Sequence, residues 1–535
     1  MSRLRPAAGQ RPLAATARLV LLGARTARTW LIAVPLLTAG LVLGVARSIE
    51  ALYPTIDQRL AYARWVEVSP GTVAFNGQGY GLTTLGGIAA YEVGFMGQIL
   101  FPTLGVVLAV RLTRQEEESG RCELVTAAAV GRLAPLTAAT VLLWASVVGG
   151  AILSAVGMVA LDLPVAGSVW YAVSVAACTL FFASAGTLLA QLCQSVRTAV
   201  LLGLSLTAVA FLSRAAGDTV GSRAALLSPL GWFPEVRAFD APQAWPLFAY
   251  GVGTALQLVV TAVVARRRDL GAGAIAPRRG RERARRWLAT SCGLAWRVCG
   301  PGMIGWLTLA CVWALVMGLL GQEVKDMAQT NPAVLTALGV QRGTDLLVML
   351  ATIVMSASAV AVGSQAGARL AAEEASGRLG AATSTRVPRT RAWLAWWAVA
   401  LLGAQLVLGT SCLLLGLSTW AVTGDRADMT TAVSVGIGYS VPVACAVCLC
   451  SALAACGPRW APAGWLVLGW ILVVGFLAQA LRLPEWSRDL SPLHLVGRLP
   501  VDAVDGLAVA GLALAAALLL GASVVVFRRR DLVAG

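Results

Sequence analysis

The chain has 535 residues, of which 58% are hydrophobic and 13% charged, and it carries 42 Lys/Arg against 26 Asp/Glu for a net charge of +16. A soluble protein of this length needs far more polar surface than such a composition supplies, so a soluble globular fold is excluded. The basic residues sit in short stretches between apolar runs rather than on one polar domain, which points to membrane topology and away from nucleic acid.

Ahead of the first apolar run, Arg11, Arg18 and Arg25 recur every seven residues beside Leu19, Leu21 and Leu22. That pattern predicts an N-terminal helix in the headgroup region, although ordinary positive-inside anchoring accounts for the same arginines. Twelve apolar spans follow, at roughly 30–47, 89–110, 134–160, 168–192, 197–213, 243–265, 303–320, 345–368, 392–420, 431–455, 461–481 and 504–526. The first run lacks an A-x-A cleavage site and many spans come after it, so no signal peptide is expected. The fold class is therefore an all-α polytopic membrane protein.

An even number of spans places both termini on one side. The segments on that side hold 30 of the 42 Lys/Arg and 9 of the 26 Asp/Glu, a net +21 against −5 for the remainder. The positive-inside rule then makes both termini cytoplasmic, in a multi-pass protein of the plasma membrane. The arginine-dominated charge, with Lys325 as the only lysine, fits a GC-rich bacterial genome.

The loop after span 2 contains an acidic knot, RQEEESGR (114–121), and the knot returns after span 8. At a shift of 257, Glu116 and Glu117 meet Glu373 and Glu374, Ser119-Gly120-Arg121 meets Ser376-Gly377-Arg378, and Val130 and Arg132 meet Val387 and Arg389. ARRRDLGAG (265–273) matches FRRRDLVAG (527–535) at a shift of 262, and Ser228-Pro229-Leu230 matches Ser491-Pro492-Leu493 at 263. Pro70 and Gly77 match Pro332 and Gly339 at 262. Four ordered matches predict two tandem six-helix repeats in the same orientation. The first covers 1–273 with its interfacial helix, a basic linker covers 274–301, and the second covers 302–535. Arg286 and Arg297, with Trp287 and Trp296, give the second half an interfacial segment of its own.

The eleven cysteines form no disulfide framework, because none falls in a loop placed outside the membrane. Cys445, Cys448 and Cys450 are closest together, but apolar flanks and the absence of a neighbouring histidine favour small core side chains over a metal site. His494 is the only histidine. A P-loop needs Gly-Lys followed by Ser or Thr, and Lys325 follows Val324 in an outer loop, so no ATPase site of the chain's own is expected. Ionisable residues at the spans are few: Glu92 and Asp345, near the outer ends of spans 2 and 8. The outer acids Asp57, Glu67, Asp218, Glu235 and Asp489 are scattered, which argues against an enzyme acting on lipid-linked substrates.

A charged loop that merely starts the next span explains one acidic knot. Docking of a cytoplasmic partner to two equivalent loops explains both, with glutamates meeting partner arginines or lysines and glycine letting the backbone approach. R-x-T-R-x-E-E-E-x-G-R after span 2, R-R-R-D-L-x-A-G after span 6 and again at the C-terminus, and S-P-L before spans 6 and 12 resemble motifs of membrane subunits of ABC-2 type exporters, most of all the actinobacterial polyketide-antibiotic exporters of the tetronasin-resistance kind. The likeness covers essentially the whole chain. It implies a permease without its own ATPase, exporting a hydrophobic or amphipathic small molecule with ATP bound and hydrolysed by a separate ABC ATPase, in two copies for a fused chain. The coupling helix would lie between spans 2 and 3 of each half. That assigns Glu116, Glu117, Gly120 and Arg121, with Glu373, Glu374, Gly377 and Arg378, to ATPase coupling. The second copy departs where Ala371, Ala375 and Gly380 replace Arg114, Glu118 and Glu123, which puts equal strength of the two sites in doubt. The alternative of a secondary drug/proton antiporter lacks the basic G-x-x-x-D-R type loop expected of it.

Overall fold

The computed structural model describes residues 13–67, 73, 76–126, 130–220, 222–269, 271–273, 286–330, 342–384, 387–478 and 483–532. Pro70, Pro332, Gly339, Arg11 and the first part of the linker, 274–285, lie outside them. The chain forms two compact units, Met1–Gly280 and Arg281–Gly535. Among the described residues the secondary structure is entirely helical.

The first unit opens with α1 (Thr16–Thr26), which buries none of its own residues, followed by α2 (Arg28–Leu52) and the short α3 (Ile56–Glu67). Then come α4 (Leu85–Leu112), α5 (Arg114–Glu118), α6 (Arg121–Thr126), α7 (Ala134–Ala160), α8 (Val165–Leu192), α9 (Val196–Val220) and α10 (Trp245–Arg267). The second unit has α11 (Ser291–Leu319), α12 (Gly321–Thr330), α13 (Gly343–Ala375), α14 (Arg378–Thr383), α15 (Arg389–Thr423), α16 (Arg426–Gly438), α17 (Ser440–Ala455), α18 (Gly464–Leu477) and α19 (Gly506–Arg529).

Eleven helices among the described residues are long and apolar enough to cross a membrane, six in the first unit and five in the second. They coincide with all of the expected spans but the eleventh. That one, expected at 461–481, is a shorter apolar helix, Ala461–Phe476. Pro462 and the 3-10 turn Ala461–Ala463 delay its start. Within the tenth span α16 and α17 meet at Tyr439, because Pro442 has no N–H to offer the carbonyl of Gly438 four residues back. The seventh span also begins earlier than expected. Thr290 caps α11 through the N–H of Gly293, so the helix runs from Ser291, and Trp296 and Arg297 belong to its first turns. Only Arg286–Ala289 stands apart, as one 3-10 turn.

The second span is the most buried membrane helix of each unit: α4 in the first and α13 in the second. Small residues let its neighbours approach closely, as membrane helix packing requires. A Cβ on Gly105 of α4 would stand 2.6 Å from the carbonyl oxygen of Thr179 on α8, and one on Gly186 would stand 3.0 Å from Val106 Cα. The second unit packs through tryptophans as well. Trp393 of α15 is buried, stacks on Phe527 of α19 with ring centroids 4.2 Å apart, and donates from Nε1 to Ser523 Oγ at 2.9 Å. That joins the third and last spans at the end where the arginines of α19 lie.

Trp393→Ala is expected to destabilise the second unit by about 3–5 kcal/mol, as for other large-to-small core substitutions. Thermal unfolding in detergent, with exposed Leu402→Ala as the comparison, measures it. Equal midpoints for the two variants would show that the stack contributes nothing.

Candidate functional site

In the first unit α4 runs to Leu112, and the chain bends at Thr113, whose Oγ1 bonds the carbonyl of Ala109 at 2.6 Å. One short turn, α5, then carries the acidic knot. Ser119 and Gly120 close it, with the Gly120 N–H on the carbonyl of Glu117 at 3.0 Å. In the second unit α13 continues unbroken through Glu373 and Glu374, seven residues beyond the expected span end at 368, because Leu370 to Ala375 are all good helix formers. The Gly377 N–H again bonds the carbonyl of Glu374, at 2.9 Å.

Gly120 and Gly377 both have left-handed backbones, φ +76° and +72°, and no atom lies within 4 Å of the place a Cβ would take at either. Glycine is there for its backbone freedom, not for space. The αL turn ends the helix before it, and α6 and α14 begin at the next residue.

The two matched glutamates of each knot face in different directions. Glu116 is held by Arg121, whose Nε and Nη2 reach its two oxygens at 2.8 and 2.7 Å. Arg378 holds Glu373 in the same way, at 2.7 and 2.8 Å. Both clasps are solvent-facing through their arginines. The glutamate hydrogen bonds push the arginine pKa values upward in both. Exposed pairs of this kind contribute little to stability.

Glu117 and Glu374 instead face inward. Arg268, just past the end of α10, forks onto Glu117, with Nη1 2.9 Å from Oε2 and Nη2 on Oε1. Arg530, just past the end of α19, forks onto Glu374 at 2.7 and 2.5 Å. Two of the repeated motifs, E-E and R-R-R-D-L, therefore meet in each unit. A third joins them: Arg132 donates to the carbonyl of Arg268 at 2.9 Å and Arg389 to that of Arg530 at 3.2 Å. Glu374 is only 2% exposed. Such charges persist in a buried site because the planar guanidinium meets both carboxylate oxygens at once.

The first unit adds ties where the second has alanine. Arg114, 1% exposed, bonds Glu117 at 2.6 Å and the carbonyl of Ala272 at 3.4 Å, and Ala371 takes its place in the second unit. Glu118 accepts the N–H of Val196 at 2.8 Å and so caps α9, and Ala375 takes its place. Arg268 Nε also reaches Gln191 Oε1 at the end of α8, at 2.8 Å. Burial, and then the charge of Glu117, push the neighbouring Cys122 thiol up to about 11, which keeps it protonated and unreactive at neutral pH.

All eight residues assigned to coupling from the sequence thus lie in two matching loops. Arg268, Arg530, Arg132 and Arg389 belong to the same constellation beyond those eight, and their recurrence at near-equal shifts is the sequence signal for them. Elsewhere, Glu92 accepts a short hydrogen bond from Tyr62 of α3, and Asp345 lies 3.9 Å from Arg342. Cys445, Cys448 and Cys450 are buried within α17, Cys450 against Ser364.

A family model described as "Multidrug efflux system permease Rv1217c, C-terminal domain" matches residues 288–528. The whole chain is 32% identical to the multidrug efflux system permease protein Rv1217c of Mycobacterium tuberculosis (strain ATCC 25618 / H37Rv) over 513 residues, which cover 94% of this chain and 91% of that protein.

Removing one member of a buried pair costs about 3–5 kcal/mol, whereas an exposed pair is close to neutral. Glu374→Ala should therefore lower the unfolding midpoint clearly and Glu373→Ala hardly at all. Differential scanning fluorimetry in detergent decides between this order and its reverse. Replacing Gly377 by Ala should cost about 1–2 kcal/mol from the left-handed backbone alone, with Asn milder, in the same assay.

Proposed function

The chain belongs to the family of the multidrug efflux system permease, as a multi-pass protein of the plasma membrane, and from that premise we propose that it is the membrane half of an ABC exporter. It moves hydrophobic or amphipathic drug-like molecules out of the cell and takes its energy from a separate ABC ATPase, in two copies. The termini and both acidic loops face the cytoplasm, as the charge asymmetry of the sequence argues. The two units are tandem copies of one six-helix repeat.

One observation carries the coupling assignment. The same construction occurs twice: an inward glutamate bracketed by an arginine from the last helix, and an outward glutamate clasped in solvent beside a short exposed helix. A loop that only connected spans would not need the inward bracket. A docking element needs both a rigid root and a presented face. On the first loop that face includes Leu124, which is 79% exposed, and the second has Ala381 at the matching position. An exposed leucine beside a charge pair suits a partner groove with an apolar floor and a polar rim. The two faces therefore differ, and the first is the stronger dock.

ATP binding would draw the ATPase copies together and displace both loops, and the helices rooted in them would follow. The chain's own residues perform no chemistry in this reading. They present the loops and transmit force.

Glu116→Ala combined with Glu373→Ala should leave the protein folded and monodisperse, yet abolish capture of an ABC ATPase in pull-downs from native membranes. Efflux should stop on ATP depletion and survive collapse of the proton gradient. Efflux that follows the proton gradient, with no ATPase captured by the native chain, would instead make the protein a secondary antiporter.

A further inference from the structure

We propose that the inward bracket, Arg268 on Glu117 and Arg530 on Glu374, is the positioning element that carries displacement of each coupling loop into the last helix of its unit, and that the two brackets differ in stiffness. The proposal rests on the coupling role argued above.

The outward clasps cannot transmit anything far, because Glu116 with Arg121 and Glu373 with Arg378 are each five residues apart in one loop. The inward pairs join residues 151 and 156 positions apart, at the end of the second span and just past the end of the sixth. Both oxygens of each carboxylate are engaged, so the loop cannot swing about a single bond. The backbone at the same arginine is also held, by Arg132 in one unit and Arg389 in the other. Pushing the loop therefore either tears a fork out of a buried site or moves the helix end with it. Tearing leaves buried charges unpaired, which makes following the easier response.

The first root has two ties whose counterparts in the second are alanines. In the first unit Arg114 reaches the carbonyl of Ala272 directly, a second route from the loop to the segment after α10, and Glu118 ties the loop to α9. Ala371 and Ala375 offer neither. Loss of Glu117 should be partly covered by Arg114, a route that Ala371 cannot offer on loss of Glu374.

Hydrogen exchange on the full chain tests this. In detergent without ATPase, the loop at 373–378 and the last turn of α19 should exchange as one cooperative unit. They should separate in Glu374→Gln and rejoin in the swapped pair Glu374→Arg with Arg530→Glu. Arg530→Lys, which keeps the charge but loses the fork, should also separate them, and it serves if Glu374→Gln fails to fold. With the captured ATPase trapped by ATP and vanadate, the native chain should respond at both loops and at both helix ends. Glu374→Gln should keep the loop response and lose that of α19. Glu117→Gln should keep part of the α10 response.

A last turn of α19 that still follows the loop in Glu374→Gln overturns the proposal. Equal losses in the two units overturn the difference in stiffness. No response at either loop of the native chain counts against the coupling role itself, and the bracket is then judged by the exchange pattern of the ATPase-free chain.

Discussion

The rest of each loop depends on a planar guanidinium meeting a carboxylate with both arms in a buried place. Neither Glu117 nor Glu374 would be tolerated there alone, since an unpaired buried charge costs several times what a hydrogen bond returns. Once the fork is closed, the helix end and the loop form a rigid corner. The turn at glycine then has a defined root, and α6 and α14 leave it in a set direction. The outward glutamates are free to face solvent because the inward ones already supply the anchorage.

The fork forms only because the helices deliver their ends to the same spot. α4 and α13 are the most buried membrane spans of their units, and small residues along them let neighbouring backbones come within van der Waals contact. Close packing of this sort is stiff. It holds the helix ends where the arginine reach of a few ångströms is sufficient. In the second unit the stack of Trp393 on Phe527 does similar work one turn from Arg530. Packing and electrostatics are thus serial rather than parallel here: the apolar contacts set the distance, and the ion pair fixes the angle.

Much of this was legible in the sequence. Apolar length located the spans, although not all of their ends, because the hydrocarbon core imposes a minimum run on any helix that crosses it. The spacing of the matched motifs showed which residues stand in corresponding places. Three things were not legible. Periodicity cannot distinguish a glutamate facing solvent from one facing an arginine 151 residues later, so Glu116 and Glu117 looked alike. The α13 extension past 368 was hidden because a hydropathy window ends at charge, whereas helical hydrogen bonding does not. The eleventh span starts later than expected because Pro462 and its 3-10 turn precede the helix, which a hydropathy window does not register. The arginine motif is visible as a repeat in the sequence, but a repeat identifies a constraint without saying what it contacts.

The sequence separation of the forks bears on how the protein is made. Each carboxylate emerges at the end of the second span of its unit and must wait for that unit's last helix before its arginine exists. During that interval the acidic loop has no inward anchor. Each unit is therefore latched only when its final helix has been inserted, and the latch reports completion of that unit alone. The two intervals differ by five residues, 151 against 156, a difference that adds almost nothing to the entropy of closure. Biogenesis should consequently proceed in two similar acts, and a chain halted between them would carry one latched unit and one open loop for quality control to recognise.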